Sequence, residues 1–406
     1  MTVETRPTQS ADPADQAASS RSGRDWPAAG GSPLRPTRIE VDLDAVAENV
    51  RALRAHVGPA ALWAVVKADG YGHGAVAVAH AALAVGAEGL AVALVEEAEA
   101  VRAAGIDAPV MLLSEPPPDG ADRAVAAGVE PTVYSAAAIA ALGRAADRQP
   151  GALLAVHLKV DTGMHRVGAQ PTEAPGLAAA IHAHPRLTLA SVWTHLAVAD
   201  EPESEFTTEQ LVRFHAACAA IEASGVQIPC RHAANSAGAL AHPAARLDRV
   251  RIGIALYGIA PAPTLAGIVE LQPALRLTSS VSHVKVVAAG EAVSYGQHHR
   301  VERDTVIATV PIGYADGLRR SLAAAGGQVL IGGRRRLLAG TVTMDQVTVD
   351  CDDDGAVRRG DEVVLIGRQG EEEISVEEWA ERLGTIGYEI TCGLGPRLPR
   401  HSVGGT

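Results

Sequence analysis

The chain has 406 residues, 47% of them hydrophobic and 20% charged, with a formal net charge of -12. That length accommodates two domains with sizeable cores, and that composition excludes a wholly disordered chain. The negative balance, with no basic cluster beyond the short Arg334 to Arg336 run, argues against nucleic acid as a partner, and no stretch offers the roughly 18 uninterrupted apolar residues of a membrane span.

Residues 1–37 are rich in Ala, Ser, Pro, Asp and Arg and poor in large apolar side chains. They cannot bury enough surface to offset their ordering entropy and are expected to form a disordered leader, without the apolar run of a secretory signal. Ordered sequence begins at TRIEVDLDAV, where Ile39, Val41 and Leu43 alternate with Glu40 and Asp42. That alternation predicts a half-buried strand over 38–43, with Asp44 capping the helix that follows.

Eight short apolar runs then alternate with Ala-rich helical segments: ALWAVV, GLAVALV, PVMLL, EPTVY, LLAVHLKV, LTLASVWTH, PCRHAA and VRIGIALYG. Continuous apolar runs mean strands buried on both faces, and intervening helices mean right-handed crossovers. The pattern predicts a parallel (β/α)8 barrel over 38–272, with a doubly wound open sheet as the alternative. From 273 to 406 the helical rhythm stops. LRLTSSVSHVKVV, DTVIATV, GQVLIGG, RRRLLAGTVTM, QVTVD and DEVVLIG are β-branched runs between Gly and Asp turns, the pattern of a mainly antiparallel β domain. The first strand, 38–43, is expected to pack with this second domain. One late helix opens at SVEEWAERLG, with Ser375 and Glu378 spaced as a capping box and Gly384 past its end. Cys218, Cys230, Cys351 and Cys392 show no C-x-x-C spacing, so a reducing cytoplasm is the expected setting and no metal site is expected.

Barrel enzymes carry their chemistry at the carboxyl ends of the strands. Here Lys67 follows the first run, Lys159 and then Arg166 the fifth, His195 the sixth, Asn235 and Ser236 the seventh, and Arg251 begins the eighth. Only three of the 35 basic side chains are lysines, so a lysine at a strand end stands out. An amine in a dry, apolar setting loses proton affinity and becomes a nucleophile suited to a Schiff base with an aldehyde, and pyridoxal phosphate is the cofactor with that need. Its phosphate would find hydroxyls and amides at NSAGAL, where Ser236 opens a helix, or at RIGIALYG, around Gly253 and Ile254. GYGHG lacks the G-K-[ST] ending of a nucleoside triphosphate loop.

Nine segments in order, AVVKADGYGHG, HLKVDTGMHRVG, WTHLAVAD, HAANS, VRIGIALYG, VSYG, PIGYADG, TVTMDQ and IGYEITC, resemble the motif set of the alanine racemases, a family of pyridoxal-phosphate enzymes. The resemblance spans residues 39 to about 400. It implies a barrel followed by a β-rich domain, a homodimer with shared active sites, alanine as the substrate, and D-alanine supplied for peptidoglycan. It makes Lys67 the cofactor lysine and Tyr295, from the other subunit, the opposing acid/base. Two bases on opposite faces are the simplest way to invert a stereocentre by moving protons. The resemblance also implies cofactor contacts from Tyr71, His195, Ser236, Arg251, Gly253, Ile254 and Tyr388, and substrate-carboxylate contacts from Arg166 and the backbone of Met344 of the partner subunit. Lys159 matches a lysine that is carbamylated in some members and holds that Arg in place. Asn235, Tyr314, Asp345 and Arg320 are implied as supporting residues around the site and its entrance. Arg251 would face the cofactor's ring nitrogen. An Arg cannot give up a proton there, so the ring stays a weaker electron sink and transamination is suppressed.

The sequence departs from the family pattern in its leader, in Thr343 where a cysteine often precedes the methionine, and in the ending CGLGPRLPR. A decarboxylase of related architecture should carry a G-G-G phosphate loop and a C-D-G-x-D motif, which are missing. A racemase of broader range, acting on serine, and a noncatalytic pyridoxal-phosphate-binding protein are the remaining alternatives. VSYGQHH within a full second domain argues against the latter.

Overall fold

A computed structural model of the chain describes residues 34–149, 151 and 153–405. The leader expected over 1–37 lies outside the described residues for 1–33. Its last residues are corrected by the structure: they are tied to the folded body. Arg35 makes a two-pronged ion pair with the buried carboxylate of Asp316 at 2.8 and 2.9 Å. Thr37 is fully buried and hydrogen-bonds Ser279 Oγ and the Pro311 carbonyl, each at 2.8 Å. Polar partners hold this segment, a signal that a search for apolar side chains does not register.

Strand β1 (Arg38–Asp42) leads into helix α1 (Leu43–Val57). The cap is Asp42, not Asp44: its Oδ1 accepts the N–H groups of Asp44 and Ala45 at 3.0 Å each. Strands β2 (Ala61–Val65), β3 (Gly89–Val92), β4 (Val110–Leu112), β5 (Glu130–Val133), β6 (Leu154–Lys159), β7 (Leu187–Trp193), β8 (Arg231–His232) and β9 (Arg249–Ile252) follow, all parallel. β9 pairs back onto β2, Trp63 opposite Arg251, so the sheet closes into a barrel and the open-sheet alternative is excluded. Leu62, Leu90, Val92, Val110, Met111, Val133, Val156, Leu158, Val192, Val250 and Ile252 are fully buried, as strands enclosed on both faces require.

The second half of the chain is mainly antiparallel. It contains β10 (Leu275–Ser280), β11 (His283–Val287), β12 (Ala292–Val293), β13 (His299–Arg300), β14 (Thr305–Val310), β15 (Gln328–Ile331), β16 (Arg334–Leu337), β17 (Val347–Asp350), β18 (Glu362–Gln369), β19 (Glu372–Ile374) and β20 (Arg400–Val403). β1 lies between β10 and β20, Ile39 opposite Leu277 on one side and Arg400 on the other, so the first strand among the described residues belongs to the sheet of the second half. The continuous run LRLTSSVSHVKVV is split. The Val281 amide turns to the Asp361 carbonyl and the Ser282 amide to that of Thr309, sending β10 and β11 into different sheets. In RRRLLAGTVTM only Arg334–Leu337 form a strand.

Helices α2 (Val376–Leu383) and α3 (Gly387–Cys392) sit near the end of the chain. Ser375 caps α2 by accepting the Glu378 N–H at 3.1 Å, and Gly384, at φ 63°, closes it. The reciprocal half of the expected capping box is absent, because Glu378 is engaged by Arg335 at 2.9 and 3.0 Å and by Arg382 at 3.1 Å. Charge-assisted bonds to guanidinium are the stronger choice for that carboxylate.

Candidate active site

The carboxyl ends of the barrel strands open into a cavity of about 560 Å³, roofed by α3. Its walls bring together Lys67, Tyr71, Lys159, Arg166, His195, Asn235, Ser236, Arg251, Gly253, Ile254 and Tyr388. Tyr295, Met344, Tyr314 and Asp345 do not line it. Tyr295 and Met344 are exposed by 72% and 52%, Asp345 pairs with Arg397 at 2.7 Å, and Tyr314 borders a separate surface hollow with Arg320. Among the described residues no group of His, Cys, Asp or Glu is arranged to hold a metal ion.

Lys67 leaves β2 in an unusual turn. Ala68, Asp69, Gly70, Tyr71 and Gly72 have φ of 52, 51, 62, 53 and 83°, five successive left-handed residues of which only two are glycine. Left-handed backbone costs about 1–2 kcal/mol per non-glycine residue, so the turn must be held from outside. Glu97 does this, accepting the Ala68 N–H at 2.6 Å while its other oxygen accepts those of Ala93 at 2.8 Å and Leu94 at 3.1 Å. Arg400 donates to the Gly72 carbonyl at 3.1 Å, and a Cβ at Gly72 would stand 2.3 Å from the Thr391 carbonyl of α3. The lysine is thus aimed by contacts from both halves of the chain. Burial, and after it the Arg166 charge, holds the Lys67 ammonium below its ordinary value, which favours the free amine.

Arg251 is the third residue of β9, not its first as the run suggested, and its side chain is buried inside the barrel. It donates to the Thr194 and Ala233 carbonyls at 3.0 and 2.9 Å, to His232 Nδ1 at 2.7 Å and to His195 Nδ1 at 3.2 Å. Burial and the nearby Arg249 charge push it down to about 9, which leaves it a cation at neutral pH. Burial, and after it the Arg251 charge, holds His195 well below its ordinary value, so it stays neutral and its Nδ1 can accept from Arg251. Trp193 presents its ring to two basic groups, Lys159 Nζ and the Arg251 cation at Cζ, each 4.5 Å from the ring centre. Cation–π attraction in so dry a place is worth about 2 kcal/mol.

Lys159, at the end of β6, is buried, and burial followed by the Arg251 and Arg166 charges lowers it from 10.5 to about 7. The unfolded chain binds this proton up to pH about 10.5, the folded chain only below about 7, so the unfolded state holds more protons in between. Stability therefore rises with pH through that window and is insensitive to this group below it. In buffer purged of carbon dioxide, Lys159→Met is expected to exceed the parent in unfolding free energy by a few kcal/mol, in order of magnitude, at pH 7, and to converge on it near pH 10. Parallel denaturation curves across that range would contradict the burial argument.

The same cavity holds a cradle of neutral hydroxyls and amides. The Ser236 hydroxyl accepts the Gly253 N–H at 2.9 Å, and Ser236 opens a short helix that Asn235 caps, its Oδ1 accepting the Gly238 N–H at 2.9 Å. A Cβ at Gly253 would stand 2.5 Å from the Tyr71 hydroxyl, so only glycine leaves the space where these groups meet. Burial raises the phenols of Tyr71 and Tyr388 above their ordinary value, keeping both as neutral hydroxyl donors. A nucleophilic amine at one side, a hydroxyl-and-amide cradle at another and a buried guanidinium behind form a donor set suited to a phosphorylated aromatic aldehyde. The cavity volume lies in the range for a ligand of that size. Sequence reasoning missed Trp193, Glu97 and His232. Trp193 and His232 open the quoted WTHLAVAD and HAANS and read as strand core; Glu97 is joined to the site only by tertiary contacts.

Two domain families match the chain, "Alanine racemase, N-terminal domain" over residues 41–261 and "Alanine racemase, C-terminal domain" over 274–402. The chain is 48% identical over 373 residues to the alanine racemase of Symbiobacterium thermophilum, covering 92% of this chain and 98% of that one. It is 41% identical over 370 residues to alanine racemase 1 of Bacillus subtilis, covering 90% and 92%. Among solved structures, the alanine racemase of Streptomyces lavendulae superposes with a TM-score of 0.87 at 41% identity, over 93% of this chain and 99% of that one. That of Bacillus anthracis, solved with bound L-Ala-P, superposes at 0.86 with 37% identity, over 92% and 97%. With both domain matches, such coverage and the same closed barrel and β-rich half, the chain belongs to the alanine racemase family.

Proposed function

We propose that this chain interconverts L-alanine and D-alanine with pyridoxal 5'-phosphate as cofactor, working as a homodimer in which a second copy completes each cavity. The observation that carries this reading is the Lys67 amine, desolvated and aimed into a cavity that also holds Arg251 and the Tyr71–Ser236–Gly253 cradle. When bound, the cofactor supplies an electron sink that acidifies the α-hydrogen of an amino acid. Tyr71, Ser236, Tyr388 and the amides of Gly253 and Ile254 would hold its phosphate, Lys67 Nζ its aldehyde carbon and Arg251 its ring nitrogen, with His195 and Asn235 fixing their surroundings.

Lys67 Nζ then carries a proton on one face of the α-carbon. Among the described residues the Tyr295 phenol is exposed and does not line its own cavity, which favours Tyr295 of the partner subunit as the second base on the other face. Arg166, with the backbone of Met344 of the partner subunit, would orient the substrate carboxylate. Tyr314 and Asp345, outside the cavity in the single chain, would narrow its entrance in the dimer. An unprotonated Lys159 amine can add carbon dioxide, lose one proton and become a carbamate anion, offsetting the neighbouring Arg166 and Arg251 charges. The product fits a supply of D-alanine for peptidoglycan. Four unpaired thiols among the described residues favour a reducing, cytoplasmic setting, and no helix among the described residues is long and apolar enough to cross a membrane.

The test is a visible spectrum of the purified protein followed by deuterium wash-in to each alanine enantiomer in heavy water. A cofactor band with exchange and inversion of both enantiomers is expected. A band without exchange would make the chain a binder of the cofactor, and faster turnover of serine than of alanine would widen the substrate.

A further inference from the structure

We propose that Glu130, at the amino end of β5 and so at the end of the barrel opposite the cavity, is a positioning residue for the reaction, acting on Arg251 through a directed chain of hydrogen bonds. The chain takes one side chain from each of five successive strands. Glu130 Oε2 lies 2.9 Å from His157 Nε2, His157 Nδ1 2.6 Å from Ser191 Oγ, Ser191 Oγ 2.8 Å from His232 Nε2, and His232 Nδ1 2.7 Å from Arg251 Nη1. β5 supplies the carboxylate, β6, β7 and β8 the three neutral groups, and β9 the guanidinium.

The proton positions follow from the two ends. A guanidinium only donates, so His232 Nδ1 accepts and its proton is on Nε2. That N–H donates to Ser191 Oγ, whose own proton must go to His157 Nδ1. His157 therefore carries its proton on Nε2 and donates it to the Glu130 carboxylate, which only accepts. Every group is satisfied and every dipole points the same way. Burial keeps both imidazoles neutral, as this arrangement needs, with Glu130 opposing that effect at His157. Burial alone would raise the Glu130 carboxyl, but the His157 bond and the Arg249 and Arg102 charges hold it below its ordinary value, ionised.

The interiors of such barrels are filled mainly by branched apolar side chains, so a polar column here is a costly choice. Its effect lies at the far end. The other bonds of Arg251 go to two carbonyls and a neutral imidazole, and Arg249 is the cation whose charge presses on it. Glu130 is its counter-charge, conveyed by dipoles that strengthen one another in low dielectric. The chain fixes where Arg251 points and how readily it keeps its proton. The catalytic consequence rests on the reading that Arg251 faces the cofactor ring.

The test uses holoenzyme labelled with 15N in histidine. Glu130→Gln keeps an acceptor for His157 but removes the charge, and Ser191→Ala cuts the chain at its middle. In the parent, His157 and His232 should each show a protonated Nε2 and a bare Nδ1. Glu130→Gln should shift the resonances of His232 as well as His157, move the cofactor's visible band and lower kcat about tenfold, with KM for alanine changed less than about twofold. Ser191→Ala should do the same, the double variant should cost no more than the worse single one, and Ser191→Thr, which keeps the hydroxyl, should restore parental behaviour. A shift confined to His157, with band and kcat unchanged, would overturn the proposal. So would additive losses in the double variant or a fall in stability alone. The imidazole resonances report on the chain whether or not the parent shows a cofactor band, whereas absence of that band would count against the proposed function.

Discussion

Tyr295→Phe is expected to leave the cofactor's visible band in place and to lower alanine inversion by about 10²–10⁴-fold, the usual worth of a positioned proton carrier. The substitution removes one oxygen from an exposed side chain, so the fold should not register it. The loop that carries it is nevertheless firmly built. Ser294, Gly296 and Gln297 have φ of 67, 75 and 51°, the Ser294 hydroxyl donates to the Thr341 carbonyl at 2.7 Å, and the Thr341 hydroxyl donates to that of Tyr295 at 2.8 Å. A Cβ at Gly340 would stand 2.4 Å from the Val293 carbonyl. Such rigidity under a solvent-facing phenol suits an arm aimed at a neighbouring molecule. With Lys67 as the remaining base, one enantiomer should still exchange its α-hydrogen for deuterium with retention, and the other should not exchange at all. Undiminished inversion would refute the two-base assignment.

The barrel was legible because most of its strands lie in short, mainly apolar runs, and enclosure by helices is the state such runs describe, although β8 is only Arg231–His232. The β-rich half was less so: LRLTSSVSHVKVV reads as one strand, and only the carbonyls of Asp361 and Thr309, far along the chain, divide it. In the site, residues that end strands could be picked out by position, Lys67, Lys159 and His195 among them, while Tyr295 and Met344 entered through motif resemblance alone. What the sequence hid is what tertiary structure brings together. Glu97 stands 29 positions from the amide it holds. His157 interrupts LLAVHLKV as a single polar residue, and Glu130 opens EPTVY like any strand-edge charge. Nothing local marks either as part of a column ending on Arg251. The left-handed turn after Lys67 was hidden for a different reason, since Ala68, Asp69 and Tyr71 have no intrinsic preference for it and are held there by Glu97 and Arg400.

Lys67→Ala is expected to have the largest effect of any single substitution, because one amine serves both as the cofactor's covalent anchor and as a base. Borohydride treatment, which should fix the cofactor to the Lys67 peptide of the parent, should fix none to the variant, and turnover should fall by more than about 10⁴-fold. The short helical turn should survive, since the Glu97 and Arg400 bonds reach the backbone at Ala68 and Gly72 and not the lysine side chain. Near-parental stability would therefore separate lost chemistry from lost structure. Two inactive variants then provide a test that neither gives alone. If each cavity combines Lys67 of one copy with the partner's Tyr295, a dimer of one Lys67→Ala and one Tyr295→Phe chain holds one site lacking both groups and one site with both intact. Unfolding and refolding an equal mixture should produce such hybrids in about half the dimers and restore about a quarter of parental activity. Were both groups drawn from the same chain, every site in every hybrid would lack one of them. Mixing would then restore nothing, and the shared-site reading would fail while the assignment of Lys67 stood.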